Sequence, residues 1–168
     1  MKLEQANEEK HWVVANEMLS SVSHHLAIKG LGLWNADQIG IVPLKSCYKL
    51  DELYFARKGE ETVGLVFIQE SDDKFWPETI PGESLFFHKL AVAPGFQGKG
   101  YGYDILDRIA EMAVSRSKTW LRLDCDNRVG LRKFYQGYGF QAVDEKLIDG
   151  FNIVRFQMSV KFSSKAML

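Results

Sequence analysis

The sequence predicts an α/β fold, a mixed sheet with helices on both faces, and three stretches carry that reading. The apolar run from Ser84 to Val92 enters a glycine-rich loop and then a helical period through Tyr101, Ile105, Ile109 and Met112/Ala113. An alternating strand over 119–125 is followed at once by a helix over 129–137. The chain then closes on a hairpin around Asp149-Gly150, a strong two-residue turn signal. The second arm of that hairpin alternates through Val154, Phe156, Met158 and Val160.

The earlier elements follow from the same patterns. Residues 2–5 read as a short strand. A helix over 8–28 places Trp12, Ala15, Leu19, Val22 and Leu26 on one face, and Gly30, Gly32 and Asn35 end it. A second helix is expected over 37–47, although Pro43 lies inside it. Strands over 53–57 and 62–70 are joined by a turn through Gly59. The segment 71–83 holds two prolines and no apolar period, so it reads as a loop.

Composition narrows the function classes. A chain of 168 residues can bury one substantial core, and a single domain over 1–168 is expected. Hydrophobic residues at 46% and charged residues at 26% exclude a disordered chain. A net charge of −1 gives no electrostatic basis for binding nucleic acid or a membrane surface. No apolar run approaches the ~20 residues that span a bilayer. Cys47 and Cys125 are the only cysteines, and no secretory signal precedes them, so a reducing, cytoplasmic setting is expected. Cys125 falls on the apolar phase of its strand and is expected to be a buried free thiol.

The loop after the 84–92 strand is the segment with the clearest chemistry. It reads Gln97-Gly98-Lys99-Gly100-Tyr101-Gly102 and opens a helix. Amides at a helix start have no carbonyl partner, and the helix dipole adds partial positive charge there. Glycines let a diphosphate approach that backbone closely. A Walker loop needs Ser or Thr after Gly-Lys, whereas Gly98-Lys99 is followed by Gly100. The spacing of Gly98, Gly100 and Gly102 also fails the dinucleotide fingerprint of Rossmann folds. A glycine-rich turn capping a surface helix is the plain alternative.

Downstream, Leu121-Arg122-Leu123-Asp124-Cys125 leads to Asn127, and then to Phe134-Tyr135-x-x-x-Gly139-Phe140. With Gln97-x-x-Gly100-x-Gly102 before it, this order resembles the GNAT superfamily, the Gcn5-related N-acetyltransferases that use acetyl-CoA. The resemblance covers about residues 52–160. It implies a GNAT-like, mostly antiparallel sheet whose central strand pair splays. It also implies that the backbone of Leu90, Ala91 and Val92 takes the pantetheine arm, and that Gln97, Gly98, Lys99, Gly100, Tyr101 and Gly102 take the pyrophosphate. Lys99 has the alternative of a solvated loop lysine. Asn127 is read either as a contact to the CoA arm or as the N-cap of the following helix. Leu131 and Phe134 pack against cofactor or core. The implied reaction moves an acetyl group to a primary amine, by direct attack and without an acyl-enzyme. The acceptor is expected to be a small molecule. A CoA-binding sensor without catalysis and a transferase acting on protein amino groups remain as alternatives, and homodimers are common in the family.

Acetyl transfer from a thioester requires a base for the amine and an acid for the departing thiolate. Tyr135 matches the position of the family's general acid, with Tyr138 ranked second and a core tyrosine as the alternative. His88 shares a strand face with Phe86, Leu90 and Val92 by period-two alternation and is the candidate base. A satisfied core histidine is its alternative. Glu70 and Glu83, at strand ends, are rival bases. Trp34, Phe75 and Trp76, with Asp72, Asp73, Glu78 and Glu83, would suit a cationic amine with an apolar body, or else simply cover a core edge. His11, His24 and His25 have no metal-ligand spacing, and no metal is expected.

Overall fold

The structure, a computed structural model, describes residues 1–160. Its elements in chain order are β1 (Lys2–Gln5), α1 (His11–Ile28), α2 (Ala36–Ile39), α3 (Ile41–Cys47), β2 (Leu53–Lys58), β3 (Glu61–Gln69) and β4 (Ser84–Val92). They continue with α4 (Tyr101–Ser115), β5 (Trp120–Asp126), α5 (Val129–Tyr138), β6 (Gln141–Ile148) and β7 (Phe151–Ser159). The strands are hydrogen-bonded in the order β1-β2-β3-β4-β5-β7-β6, mostly antiparallel, as the α/β reading expects. No helix among the described residues is long and apolar enough to cross a membrane.

Contacts divide the chain into two compact units, Met1–Ile68 with Lys89–Leu106, and Gln69–His88 with Asp107 onward. In the first unit, Trp12, Ala15, Leu19 and Val22 of α1 pack in one core with Leu53 and Phe55 of β2, Leu65 and Phe67 of β3, and Ala91 of β4. The face predicted for α1 is therefore the buried one, with Leu26 partly buried against the same core. That helix starts at His11 rather than at residue 8. The helix expected over 37–47 is two helices. Gly40 between them is extended, at ψ 160°, and Pro43 then sits in the first turn of α3, where a missing N–H leaves no bond unmade.

In the second unit, β5 pairs antiparallel with β7 over its full length, from Trp120↔Ser159 to Asp126↔Ile153. The β6–β7 hairpin turns through Asp149 (φ 51°) and Gly150 (φ 81°), the two left-handed residues that its sequence called for. The parallel ladder of β4 with β5 is short, covering Ser84↔Trp120, Leu85↔Leu121 and Phe86↔Arg122. β5 runs four residues further with β7 as its ladder partner. The central pair is thus splayed, as the family resemblance implied.

One glycine in the first unit is held by a close approach of chains rather than by a turn. A Cβ on Gly64 of β3 would lie 2.4 Å from the Ala91 carbonyl oxygen and 3.1 Å from Ile105 Cδ1. The first contact is to backbone, which cannot swing away. Gly64→Ala is therefore expected to destabilise the protein by about 1–3 kcal/mol, the cost of overpacking, read as a lower denaturant midpoint. A midpoint equal to that of the parent would remove the close approach from the account of β3 and β4.

Candidate active site

In the first unit, the segment after β4 folds into a short open loop. A 3-10 turn over Pro94–Phe96 leads to Gln97, whose Nε2 donates to the Val92 carbonyl at 3.0 Å and draws the loop back onto the strand end. Gly98 (φ 76°) and Gly100 (φ 85°) are both left-handed, and neither has a heavy atom within 4 Å of where a Cβ would project. The loop therefore leaves bare backbone facing open space, and any other residue there would be strained. α4 begins directly afterwards at Tyr101, so the positive end of its dipole adjoins that space. The backbone and the donors fit a diphosphate. Lys99 is exposed, with its ammonium 5.9 Å from the Phe96 ring centroid. The Tyr101 hydroxyl accepts from Lys58 Nζ at 2.9 Å. Gly102 lies in the first turn of α4, Ala91 is buried, and Leu90 and Val92 are partly exposed.

Lys89 has φ 53°, left-handed for a residue with a side chain. Its Nζ donates to the Tyr48 hydroxyl at 3.3 Å and lies 5.4 Å from that ring's centroid. The alternation expected along β4 stops here. Phe86 and Phe87 are buried in succession, and His88, Lys89 and Leu90 are partly exposed in succession. Phe86 and His88 both precede Lys89, so the interruption falls between His88 and the later pair Leu90 and Val92. A left-handed residue inside a strand resets the phase of the side chains after it.

In the second unit, His88 meets two carboxylates. Its Nε2 is 3.6 Å from Asp72 Oδ2 and its Nδ1 is 3.8 Å from Asp124 Oδ1. The three side chains are only 11%, 6% and 12% exposed, in that order. Asp72 Oδ1 accepts the Phe75 amide at 3.0 Å, which fixes the carboxylate in its loop. Burial pushes the Asp72 carboxyl above the usual carboxylate range, against the pull of the Phe75 and Lys74 amides.

Tyr135 is buried on the inner side of α5, its ring centroid about 5–6 Å from those of four phenylalanines (Phe87 6.1 Å, Phe134 5.0 Å, Phe140 5.8 Å, Phe156 5.8 Å). Burial raises its phenol well above the ordinary value near 10, and the charges of Cys125 and Asp124 add to the effect. The hydroxyl thus keeps its proton at any working pH. Tyr138 donates its hydroxyl to Asp107 Oδ1 at 2.7 Å, which engages it with α4. Asn127 is not the N-cap of α5: that position is Arg128. Asn127 Oδ1 accepts Arg132 Nη1 at 2.8 Å, and its amide group donates to Asn152 Oδ1 at 3.3 Å. Leu131 and Phe134 are half-buried on α5.

The rival bases are both engaged by cations. Glu83 accepts Arg122 Nη1 at 3.0 Å, and Glu70 lies 3.1 Å from Lys118 Nζ and 3.9 Å from Arg116. Trp76 and Glu78 are both engaged with Arg155. Trp76 is buried, with the Arg155 guanidinium 4.3 Å from its ring centroid. The same guanidinium donates to Glu78 at 2.6 Å, to the Phe75 carbonyl at 3.0 Å and to both oxygens of Asp144 at 2.7 Å. Arg155, Lys89 and the pairing of Asp72 and Asp124 with His88 were not singled out by sequence reasoning. The charge of Arg155 within the apolar stretch Ile153–Phe156 was the available signal.

Comparison with known proteins places this architecture. The family described as "Acetyltransferase (GNAT) domain" matches residues 49–142. An uncharacterized N-acetyltransferase of Bacillus subtilis, YesJ, is 31% identical over 99 residues. That match spans 55% of this chain and 55% of the relative, so the chain aligns with about half of the relative's length. A GNAT-family acetyltransferase from Listeria monocytogenes has the same fold at a TM-score of 0.72, with 17% identity over 94% of each chain. A GNAT-family acetyltransferase from Elizabethkingia anophelis, solved with acetyl-CoA bound, covers 64% of this chain and 74% of its own at 22% identity and a TM-score of 0.51.

Cys125 lies between Asp124 and Asp126, is half-buried, and has its thiol pushed up to about 12, first by burial and then by the two carboxylates. Cys47 is exposed. Alkylation with iodoacetamide at pH 8 is expected to add one group to the folded protein, at Cys47, by intact mass and peptide mapping. Equal rates at the two cysteines would contradict the packing of β5.

Proposed function

Because this chain belongs to the GNAT acetyltransferase family, we propose that it transfers the acetyl group of acetyl-CoA to the primary amine of a small molecule. The observation that carries this reading is the loop over 97–102. Two left-handed glycines and a helix start adjoin open space, an arrangement suited to a diphosphate. Gln97 shapes that loop, and Lys99 can add charge to it. The partly exposed strand end at Leu90 and Val92 is suited to a pantetheine arm. Asn127, Leu131 and Phe134 are assigned to the same co-substrate by family position.

The proposed chemistry is direct attack. His88 takes the proton that the amine must lose, and the amine nitrogen bonds to the acetyl carbon as the carbon–sulfur bond breaks. Tyr135 gives its phenolic proton to the departing thiolate. Its burial keeps that proton in place until the thiolate forms. The same burial makes the phenol a weak acid, so the transfer depends on a thiolate held close to it. That weakness also favours a second reading, a CoA-binding module without catalysis.

Tyr135→Phe separates the two readings, since the phenyl ring preserves the aromatic packing and removes only the hydroxyl. A fall in kcat on the order of 100-fold, at unchanged KM for acetyl-CoA and unchanged melting temperature, is the expected outcome. Full turnover in the variant would remove Tyr135 from the chemistry. Acetyl-CoA at about 100 times its Kd should stabilise the parent by about 2.7 kcal/mol. Gly100→Glu should abolish that stabilisation by placing bulk and negative charge in the loop, and an undiminished shift in a folded variant would refute the diphosphate assignment. Thiol release over a panel of primary amines then identifies the acceptor class. Stabilisation by acetyl-CoA with no release on any amine would favour the module without catalysis.

A further inference from the structure

Three ligand-bearing side chains from three separate segments converge in the second unit: Asp72 from the loop after β3, His88 from β4 and Asp124 from β5. The two approaches to the imidazole, 3.6 and 3.8 Å, are too long for hydrogen bonds. With one donor atom taken per residue, no pair is more than 4.8 Å apart. Asp72 supplies an independent observation. Its side chain is 6% exposed, and while Oδ1 accepts the Phe75 amide, Oδ2 accepts no hydrogen bond from any described residue. That oxygen is directed at His88. A buried carboxylate oxygen without a donor is costly, and a cation is the ligand that offsets the cost.

We propose that Asp72, His88 and Asp124 bind one first-row divalent transition-metal ion of the zinc type. The donor set selects the class. One imidazole nitrogen with two carboxylate oxygens suits zinc and its neighbours, whereas magnesium and calcium favour oxygen alone. Donors at about 2.0–2.2 Å from a tetrahedral ion lie roughly 3.3–3.6 Å from one another. Asp72 Oδ2 and His88 Nε2, 3.6 Å apart, lie at the edge of that range, while Asp124 Oδ1 is nearer the other ring nitrogen and, within the 4.8 Å that bounds the three donors, reaches the same ion by side-chain rotation. The bond from the Phe75 amide to Oδ1 holds the Asp72 carboxylate in orientation, as outer hydrogen bonds do at established metal sites. An ion here occupies the imidazole that the proposed transfer uses as its base. Inhibition of transfer therefore rests on that reading, while metal binding itself does not.

The test is isothermal titration of zinc(II) into the full chain, with the visible absorption of cobalt(II) as an optical probe of the same site. One ion per chain is expected. Asp72→Asn keeps the Oδ1 acceptor for Phe75, and His88→Gln keeps a polar side chain of similar reach. Each should weaken binding at least about tenfold. Should either variant fail to fold, Asp124→Asn provides the same comparison. Absence of saturable binding would overturn the proposal, as would binding that survives these substitutions unchanged, which would place the ion elsewhere. Zinc should also suppress thiol release in proportion to occupancy. Intact metal binding in a protein that turns over no amine would count against the transfer reading alone.

Discussion

The surroundings of His88 depend on where β4 stops pairing with β5. A parallel ladder of three residue pairs registers the two strands, and β5 then continues on β7 alone. The ladder ends at Phe86, two residues before His88. His88 then meets carboxylates from a loop and from β5. Lys89 adopts a left-handed backbone that costs on the order of 1–3 kcal/mol for a residue with a side chain. The Tyr48 ring and hydroxyl receive its ammonium and help to hold it there. Strain of this kind is tolerated where the surroundings over-determine it, and here it sits one residue from the imidazole.

A buried guanidinium organises the second unit in a comparable way. Arg155 is 3% exposed, yet its donors reach both oxygens of Asp144, the Glu78 carboxylate and the Phe75 carbonyl, and its face covers Trp76. Such networks add little net stability over an apolar replacement of the same shape, but they specify one arrangement. Asp144 is held below the usual carboxylate range chiefly by this arginine, and Glu78 by its own backbone amide and then by the arginine. The arrangement specified is that of the loop that carries Asp72. Arg122 acts similarly at the loop's other end, where it joins Glu83, Ser84 and Gln157.

Local pattern made most of the elements legible in the sequence. The strand over 84–92, the Asp149-Gly150 turn and the buried face of α1 all follow from alternation, turn chemistry and helical spacing. The diphosphate loop was legible because its glycines are needed for backbone conformation, which sequence records directly. The split between α2 and α3 was not, since Gly40 is extended there and the apolar spacing continues across it. The interruption at Lys89 was also invisible, because nothing in a lysine announces a positive φ. Asp72 and Asp124 lie far from His88 in sequence, and only the path of the 71–83 loop and the pairing of β5 bring them to it. Tyr135 could be found by motif, but its aromatic enclosure is built from β4, β7 and the end of α5 together.

The Arg155 contacts also impose an order on synthesis. The Phe75 carbonyl is bonded by a residue 80 positions later in the chain. At about 5–20 residues per second, the ribosome needs roughly 4–16 s to supply that partner after the loop has been made. Throughout that interval Trp76 lacks the nearer of its two guanidinium neighbours and Glu78 its Arg155 counter-ion. The nascent loop therefore spends seconds as an exposed aromatic and acidic segment, a target for chaperones and proteases before the last strand arrives to close it.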